Sequence, residues 1–416
     1  MLGSQRLLIS LTLLCLAACG GPQVGRDAAS VPVLPPAAKT TLPSLQAAVK
    51  PVGVNPAAPV PVSPSNPSPV APLRPASAPA VPTSGAPVGT VRERQAFART
   101  VASQRGLDYL AVLTLMQEAR YNATVVRLIA PTGPVRKTVR AWPTYRQRYV
   151  EQIRIRGGVA FMQKHAGPLA RAQARYGVPA HVIAAIIGVE TLYGRQTGSF
   201  RTLDALATLA FHYPVPERAD RVRMFRDQLA DLIALHFSTH LNARTLQGSF
   251  AGAIGVPQFM PGSIKRYAVD ADGDGRIDLH GSIDDVVMSV GNFLVQHGWR
   301  LGLPVFASAQ LPIDPAALVD GGLEPTLTWD QLRAAGAQEI PDTAAGFWQD
   351  APLGVINLPD ERIGHVEYRI ATPNFFALTQ YNRSYFYAAA VADLAMVLQQ
   401  RMGNAKHSYL NTPVDR

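Results

Sequence analysis

The run His181-Val-Ile-Ala-Ala-Ile-Ile-Gly-Val-Glu190-Thr191-Leu192-Tyr193-Gly194 is apolar from Val182 to Val189 and carries a single carboxylate, Glu190, at its end. Such a segment reads as a helix lying inside a core. A carboxyl group in apolar surroundings is hard to ionise, so it can hold its proton near neutral pH and donate it, which is the work of a general acid. A glutamate ending an apolar helix also has plainer uses, in a structural ion pair or pointing to solvent. Perturbed carboxylates concentrate at functional sites without being confined to them. The rest of the chain has to decide between these readings.

Helical spacing surrounds the run. Arg94 to Met116 alternates apolar and polar residues with Phe97, Val101, Leu107, Leu110 and Leu113 on one face, and Ala166 to Tyr176 does the same. Leu203 to Phe211 and Val222 to Phe237 continue the pattern, with Thr202-Leu-Asp204 as a start signal for the former. After Trp299 the texture changes to short apolar stretches broken by Gly, Pro and Asp: Pro304-Val-Phe306, Pro325-Thr-Leu-Thr-Trp329 and His365-Val-Glu-Tyr-Arg-Ile370. These predict a small strand-containing insertion at about 300–372. Helical period returns at Phe386, Tyr387, Ala390, Val391, Leu394, Val397 and Leu398. The expected architecture is mainly α (α+β): one helical unit over 91–405 with a lesser insertion, no internal repeats, and a tail at 406–416.

The first ninety residues do not look able to join that core. Met1 to Arg6 followed by apolar Leu7 to Leu16 has the proportions of a signal peptide over residues 1–18 and is too short for a membrane span. It ends in Leu16-Ala17-Ala18-Cys19, which resembles the lipobox of bacterial lipoproteins. That resemblance makes Cys19 an acylated N-terminus, and Cys15 would leave with the signal, so disulfides play no part. Gly20 follows, and the absence of Asp there resembles lipoproteins sent to the outer membrane. From Val31 to Thr90 the chain has sixteen prolines, no Asp or Glu and no aromatic residue. Residues 19–90 therefore read as a Pro/Ala-rich disordered tether. Its extended part would span at most roughly 190 Å at ~3.1 Å per residue.

The formal charge of +10 is uneven, with seventeen Lys and Arg against five Asp and Glu between Val91 and Phe200. Arg127, Arg136, Lys137, Arg140, Arg146, Arg148, Arg154 and Arg156 lie close together in the chain, which suits a polyanion. For a secreted lipoprotein that polyanion is wall polymer or lipid headgroup before nucleic acid.

Two segments carry further chemistry. Gly248-Ser-Phe-Ala-Gly-Ala-Ile-Gly-Val-Pro-Gln-Phe-Met-Pro-Gly-Ser263 sets four glycines and two prolines around Ser249, Gln258 and Phe259. Glycines let backbone approach a ligand, and turns present short polar side chains. Asp270-Ala-Asp272-Gly-Asp274-Gly-Arg276-Ile-Asp278 places carboxylates at loop positions 1, 3, 5 and 9, glycine at 6 and the Arg276 carbonyl at 7 of an EF-hand pattern. Hard oxygen donors of this kind suit Ca2+. Position 12 is Gly281 instead of glutamate. His236 and His240 share the spacing of a zinc pair, but without a following Glu or third ligand they read as structural.

Glu190-Thr-Leu-Tyr-Gly-Arg, the Gly248–Pro261 segment, Val290-Gly-Asn-Phe, His297-Gly-Trp299 and Tyr381-Asn-Arg-Ser384 together resemble the B-type membrane-bound lytic murein transglycosylases, in order from about Trp142 to Leu398. The resemblance implies a lysozyme-like catalytic core with a flanking helical region. It also implies a lyase that cleaves the β-1,4 bond between MurNAc and GlcNAc in peptidoglycan without water, Glu190 being the single catalytic acid and then base. Ser249 and Gln258 match positions that hydrogen-bond the sugar, and Phe259 matches an apolar cleft wall. Tyr145, Tyr381, Asn382 and Tyr387 match the groove lining. The family's calcium loop draws its last carboxylate from the following helix, which points to Asp285, with Asp284 second. One departure is visible: extra residues in Tyr213-Pro-Val-Pro-Glu-Arg-Ala-Asp-Arg221 displace the family's adjacent arginines, leaving Arg221, or Arg218, for contacts to the peptide stem. The expected setting is the periplasm, with glycan strands and cell wall synthesis or hydrolysis proteins as partners, no nucleic acid, and no cofactor for catalysis. A hydrolytic muramidase and a non-catalytic, calcium-stabilised wall-binding lipoprotein are the competing readings.

Overall fold

The structure, a computed structural model, describes residues 84–131, 139–341 and 347–403. The apolar run becomes α7 (Ala180–Thr191), with Val182, Ile183, Ile186 and Ile187 wholly buried. At about 1.5–3 kcal/mol per side chain, burying those four contributes roughly 6–12 kcal/mol, an upper bound because the unfolded chain is already partly compact. Helix α7 packs against α5 (Gln152–Lys164), α6 (Ala166–Tyr176) and α14 (Tyr385–Arg401). Before it come α1 (Val91–Arg105), α2 (Tyr109–Glu118), α3 (Ala123–Ile129) and α4 (Trp142–Tyr149). After it come α8 (Thr202–Phe211), α9 (Ala219–Ser238), α10 (Pro261–Tyr267) and α11 (Ile283–Gln296).

Local chemistry explains several boundaries. The single periodic stretch from Arg94 to Met116 is two helices, because Gly106 turns left-handed (φ 65°) to close α1 and Asp108 caps α2 by accepting from the Ala111 amide. The start signal before α8 works differently from its reading. Arg201 is the N-cap, Thr202 Oγ1 is buried without a hydrogen bond among the described residues, and Asp204 instead accepts from the Arg120 amide at 2.7 Å.

The stretch expected to be tether up to residue 90 is structured from Ser84 onward. Val88 is fully buried in the main core, Pro87 bridges Arg120, and the Arg94 guanidinium donates to the Val88 and Gly89 carbonyls. The composition of the tether runs on past the point where the chain enters the fold. Cys19, the signal segment and most of the Pro-rich stretch lie outside the described residues, as do Arg136, Lys137 and the tail.

Between α11 and the last two helices, α13 (Pro373–Tyr381) and α14, the chain makes short antiparallel pairs around α12 (Trp329–Ala334). β3 (Ala309–Gln310) pairs with β4 (Gln338–Glu339), and β5 (Gly354–Asp360) with β6 (His365–Ala371) in register from Gly354 opposite Ala371 to Asp360 opposite His365. This region has its own small core of Leu303, Trp329, Leu332, Trp348, Leu353, Val355 and Ile370, with the two tryptophans edge to face at 4.8 Å. One further pair, β1 (Phe200–Arg201) with β2 (Gln247–Gly248), leads into the glycine-rich segment.

Three arginines of the basic stretch are paired, while Arg127, Arg148 and Arg156 are exposed. Arg140 pairs with Glu361 at 2.9 Å, Arg146 with buried Asp393 at 2.5 Å, and Arg154 with Glu151 at 2.5 Å. Asp393 on α14 also receives Arg369 of β6 at 2.7 Å, and Arg369 pairs with Glu367, which accepts from the Trp142 indole. Asp393 of α14 thus ties Arg146 of α4 to Arg369 of β6.

Candidate active site

Glu190 occupies the last turn of α7, at the edge of the core and partly open to solvent. Its Oε1 accepts a 2.5 Å hydrogen bond from the Tyr387 phenol of α14. Burial pushes the carboxyl up from 4.5 to about 7, against the opposing effect of the Tyr387 bond, which favours the ionised form. These are the two causes of the shift, and neither is a second acid. Tyr387 and Tyr381 stack at 6.4 Å with rings 13° apart, and burial beside Glu190 holds both phenols well above their usual range, hence neutral.

The glycine-rich segment is drawn against this cluster by two bonds. Thr191, the residue after Glu190, donates to the Val256 carbonyl at 2.8 Å, and Tyr381 donates to the Pro257 carbonyl at 2.6 Å. Gly255 has φ 72°, and a Cβ there would sit 2.5 Å from the Leu279 carbonyl oxygen, so only glycine fits that approach. Gln258, at φ 53°, donates its amide to the Thr197 and Gly255 carbonyls. Ser249 Oγ accepts from the Ala253 amide and stays half-buried. Tyr145 of α4 lies against Trp142, Tyr149 and Phe386 and within electrostatic reach of the Tyr387 phenol. Asn382 caps α13, half-buried.

Two expected groove residues take other positions. Phe259 is 2 % exposed, packed between Phe293 and Tyr381. It supports the wall from behind and does not form its surface. Tyr387 is 1 % exposed and offers its hydroxyl to Glu190, not its ring face to a ligand. The causes differ: Tyr387 lies where α14 packs on α7, whereas Phe259 is covered by Phe293 of α11 and Tyr381 of α13. Sequence reasoning also missed Arg154, whose Nε donates to the Gly188 carbonyl two residues before Glu190; a lone arginine in a basic run gives no signal of this. Of the candidate arginines, Arg218 is held by two bonds to Asp220, and Arg221 is mostly buried with its Nε 3.9 Å from the same carboxylate.

The acidic loop brings Asp270, Asp272 and Asp285 together, one carboxylate oxygen from each lying within 4.8 Å of the others. Asp285 is buried and accepts from the Ala271 and Asp278 amides, while Asp284 turns outward to pair with Arg171. Asp274 and Asp278 do not converge with the trio; their oxygens accept from the Arg276 amide and from the His280 and Gly281 amides. An all-oxygen set with a buried carboxylate at its base fits a hard divalent cation. His236 and His240 make separate contacts, to Leu241 O and Arg244 and to Ile277 O.

A single desolvated carboxyl at the end of a buried helix, beside tyrosines and a glycine-rich wall in a mostly helical body, defines the class of lysozyme-like, glycan-cleaving enzymes. The comparisons agree. The family described as Transglycosylase SLT domain matches residues 90–396. Membrane-bound lytic murein transglycosylase B of Escherichia coli K12 is 36 % identical over 312 residues, 73 % of this chain and 82 % of that one. The Escherichia coli lytic transglycosylase Slt35 in complex with calcium is similar at 34 % identity and TM-score 0.62, over 74 % of this chain and 93 % of that one. SltB3 of Pseudomonas aeruginosa in complex with NAG-anhNAM-pentapeptide is similar at 27 % identity and TM-score 0.60, over 78 % and 82 %. This chain belongs to the SLT transglycosylase family and is a lytic transglycosylase of peptidoglycan, a lyase. Among the described residues no helix is long and apolar enough to cross a membrane.

Proposed function

We propose that Glu190 carries both proton transfers of the reaction. Protonated near neutral pH, it gives its proton to the glycosidic oxygen as the MurNAc–GlcNAc bond breaks. As a carboxylate it then takes the proton of the C6 hydroxyl of the same MurNAc, whose oxygen bonds to C1 and closes the 1,6-anhydro ring. The proton balance is zero, and Glu190 ends as it began. The observation that carries this reading is the placement of Glu190 in the last turn of a buried helix with the Tyr387 phenol on its Oε1 at 2.5 Å, where burial pushes the carboxyl up to about 7 and no second acid is among the causes. Water-using glycosidases generally need a second carboxylate as nucleophile or base. An internal hydroxyl, with the substrate's own acetamido group stabilising C1, replaces it. The neutral Tyr387 phenol occupies Oε1 and directs the proton to Oε2. Ser249, Gln258, Tyr145, Tyr381 and Asn382 are the sugar contacts, with Phe259 behind Tyr381, and Arg221 is the contact to a peptide stem.

Mass analysis of digested sacculi tests this. Anhydro-ended products are expected; reducing ends one water heavier would make the enzyme a muramidase. Unchanged lytic activity in Glu190→Gln would sink the assignment of Glu190 as the acid, whereas sacculi left intact by the wild-type protein would favour the wall-binding lipoprotein.

The proposed calcium site is the converged trio Asp270, Asp272 and Asp285. Its role is structural, stabilising the folded state by mass action. The proposed location is the periplasm, with Cys19 lipidated and anchored in the outer membrane and residues 20–83 as the tether; radiolabelled palmitate incorporation lost in Cys19→Ala is the expected result.

A further inference from the structure

Directly after Glu190 the backbone does something side-chain-bearing residues rarely do. Leu192 (φ 51°) and Tyr193 (φ 60°) are consecutive and both left-handed, and the only other non-glycine residue with positive φ among the described residues is Gln258 of the same site. Such strain persists where surrounding structure over-determines it, and it gathers at functional sites. Here the over-determination is visible. The Leu192 and Tyr193 amides bond back to the Gly188 and Ile187 carbonyls, and the Tyr193 hydroxyl donates to the Arg154 carbonyl of α5 at 2.8 Å. Its ring packs on Phe161 at 5.4 Å.

The ring and hydroxyl fill a recess made by three glycines. A Cβ on Gly157 would lie 2.9 Å from the ring, one on Gly158 would lie 2.5 Å from the hydroxyl, and one on Gly188 would collide with it. Gly158 also abuts Leu398 of α14, the helix that carries Tyr387. The Tyr193 hydroxyl thus sits where α5, α7 and α14 meet, and Arg154 returns a bond to Gly188 from the same place at 3.1 Å.

We propose that Tyr193 is a positioning residue for Glu190: wedged into the three-glycine recess, it holds the left-handed turn that ends α7 at Thr191 and so fixes the direction in which the Glu190 carboxyl leaves the helix. The inference rests on Glu190 being the acid. Without the wedge, the strained turn relaxes, the last turn of α7 frays, and the carboxyl loses its register with Tyr387.

The test is kinetic, on the full chain with a soluble, uncrosslinked GlcNAc–MurNAc strand. In Tyr193→Ala kcat falls by about a hundredfold with KM within about twofold, as expected for misplacement of a reacting group by about 1 Å. The alkaline limb of kcat/KM moves below its wild-type position as the carboxyl becomes wetter. In Tyr193→Phe, which keeps the wedge and loses the bond to Arg154, kcat falls by about tenfold and the alkaline limb moves the same way by a smaller step. If Tyr193→Ala does not fold, the Phe variant and its pH profile decide. Glu190→Gln is run beside them. Lost activity there with unchanged kcat and pH profile in the folded Tyr193 variants overturns this inference alone. Retained activity in Glu190→Gln overturns the acid assignment and this inference with it. A lower melting temperature with full activity per folded molecule also overturns it, since that is what packing alone would give.

Discussion

Replacing Glu190 by Gln should make the protein more stable and less active, and the stabilisation should appear only above acid pH. The folded state raises the carboxyl from 4.5 to about 7. Below pH 4.5 both the folded and unfolded chains are protonated, so no penalty exists. Between 4.5 and 7 the unfolded chain ionises while the folded one keeps its proton, and wild-type stability falls with rising pH. Above 7 the full cost is present. At 1.36 kcal/mol per unit, the shift corresponds to about 3 kcal/mol, and the partial exposure of Glu190 reduces this to about 2 kcal/mol. Glutamine is neutral throughout, fills the same space and still accepts from Tyr387, so the variant escapes that cost. Thermal unfolding at pH 4 and pH 8.5 is the assay: melting temperatures within about 1 °C at pH 4, and the variant higher by roughly 3 °C at pH 8.5. The same preparation should lose at least about a hundredfold in turnover. A difference in melting temperature that does not vary with pH, or a variant less stable at pH 8.5, would refute the claim that Glu190 is held protonated by burial.

Tyr387→Phe removes the bond that favours the ionised carboxylate, so the alkaline limb of kcat/KM should move to higher pH; a shift downward would contradict the geometry at Oε1. Asp285→Asn should abolish the dependence of melting temperature on calcium and chelator, while Asp284→Asn, which breaks only the exposed pair with Arg171, should leave it intact. Val88→Ala should cost about 1–3 kcal/mol in urea unfolding, because Val88 is fully buried; an unchanged midpoint would return residues 84–90 to the tether.

Some of this was legible in the chain because it is local. The apolar run to Glu190 spells a buried helix ending in a carboxylate, since unbroken hydrophobicity leaves no face for water. Period identifies α6 and α9 to within a few residues, and of the stretches after Trp299 His365–Ile370 is a strand, while Pro304–Phe306 and Pro325–Trp329 contribute only isolated bridges at Phe306 and Leu327, with Trp329 opening α12. In the acidic loop, spacing alone picks out Asp270 and Asp272, as their positions in a tight turn are fixed by bonds to nearby amides. The partners were not legible. Nothing in a period of 3.6 residues says that Tyr387 meets a carboxylate 197 residues earlier, that Phe259 lies behind Tyr381 instead of beside it, or that Arg140 and Arg146 of the basic run pair with Glu361 and Asp393. Composition likewise could not show that the Pro-rich stretch enters the core at Val88.

The sequence by itself determined a buried helix that ends in one carboxylate, a glycine-rich segment able to approach it, and an oxygen-rich loop. The tertiary structure alone decided the state of that carboxylate. Its proton affinity depends on which groups from α14 and the glycine-rich segment exclude water from it, and desolvation is set by contacts between distant segments, not by the neighbours of Glu190 along the chain.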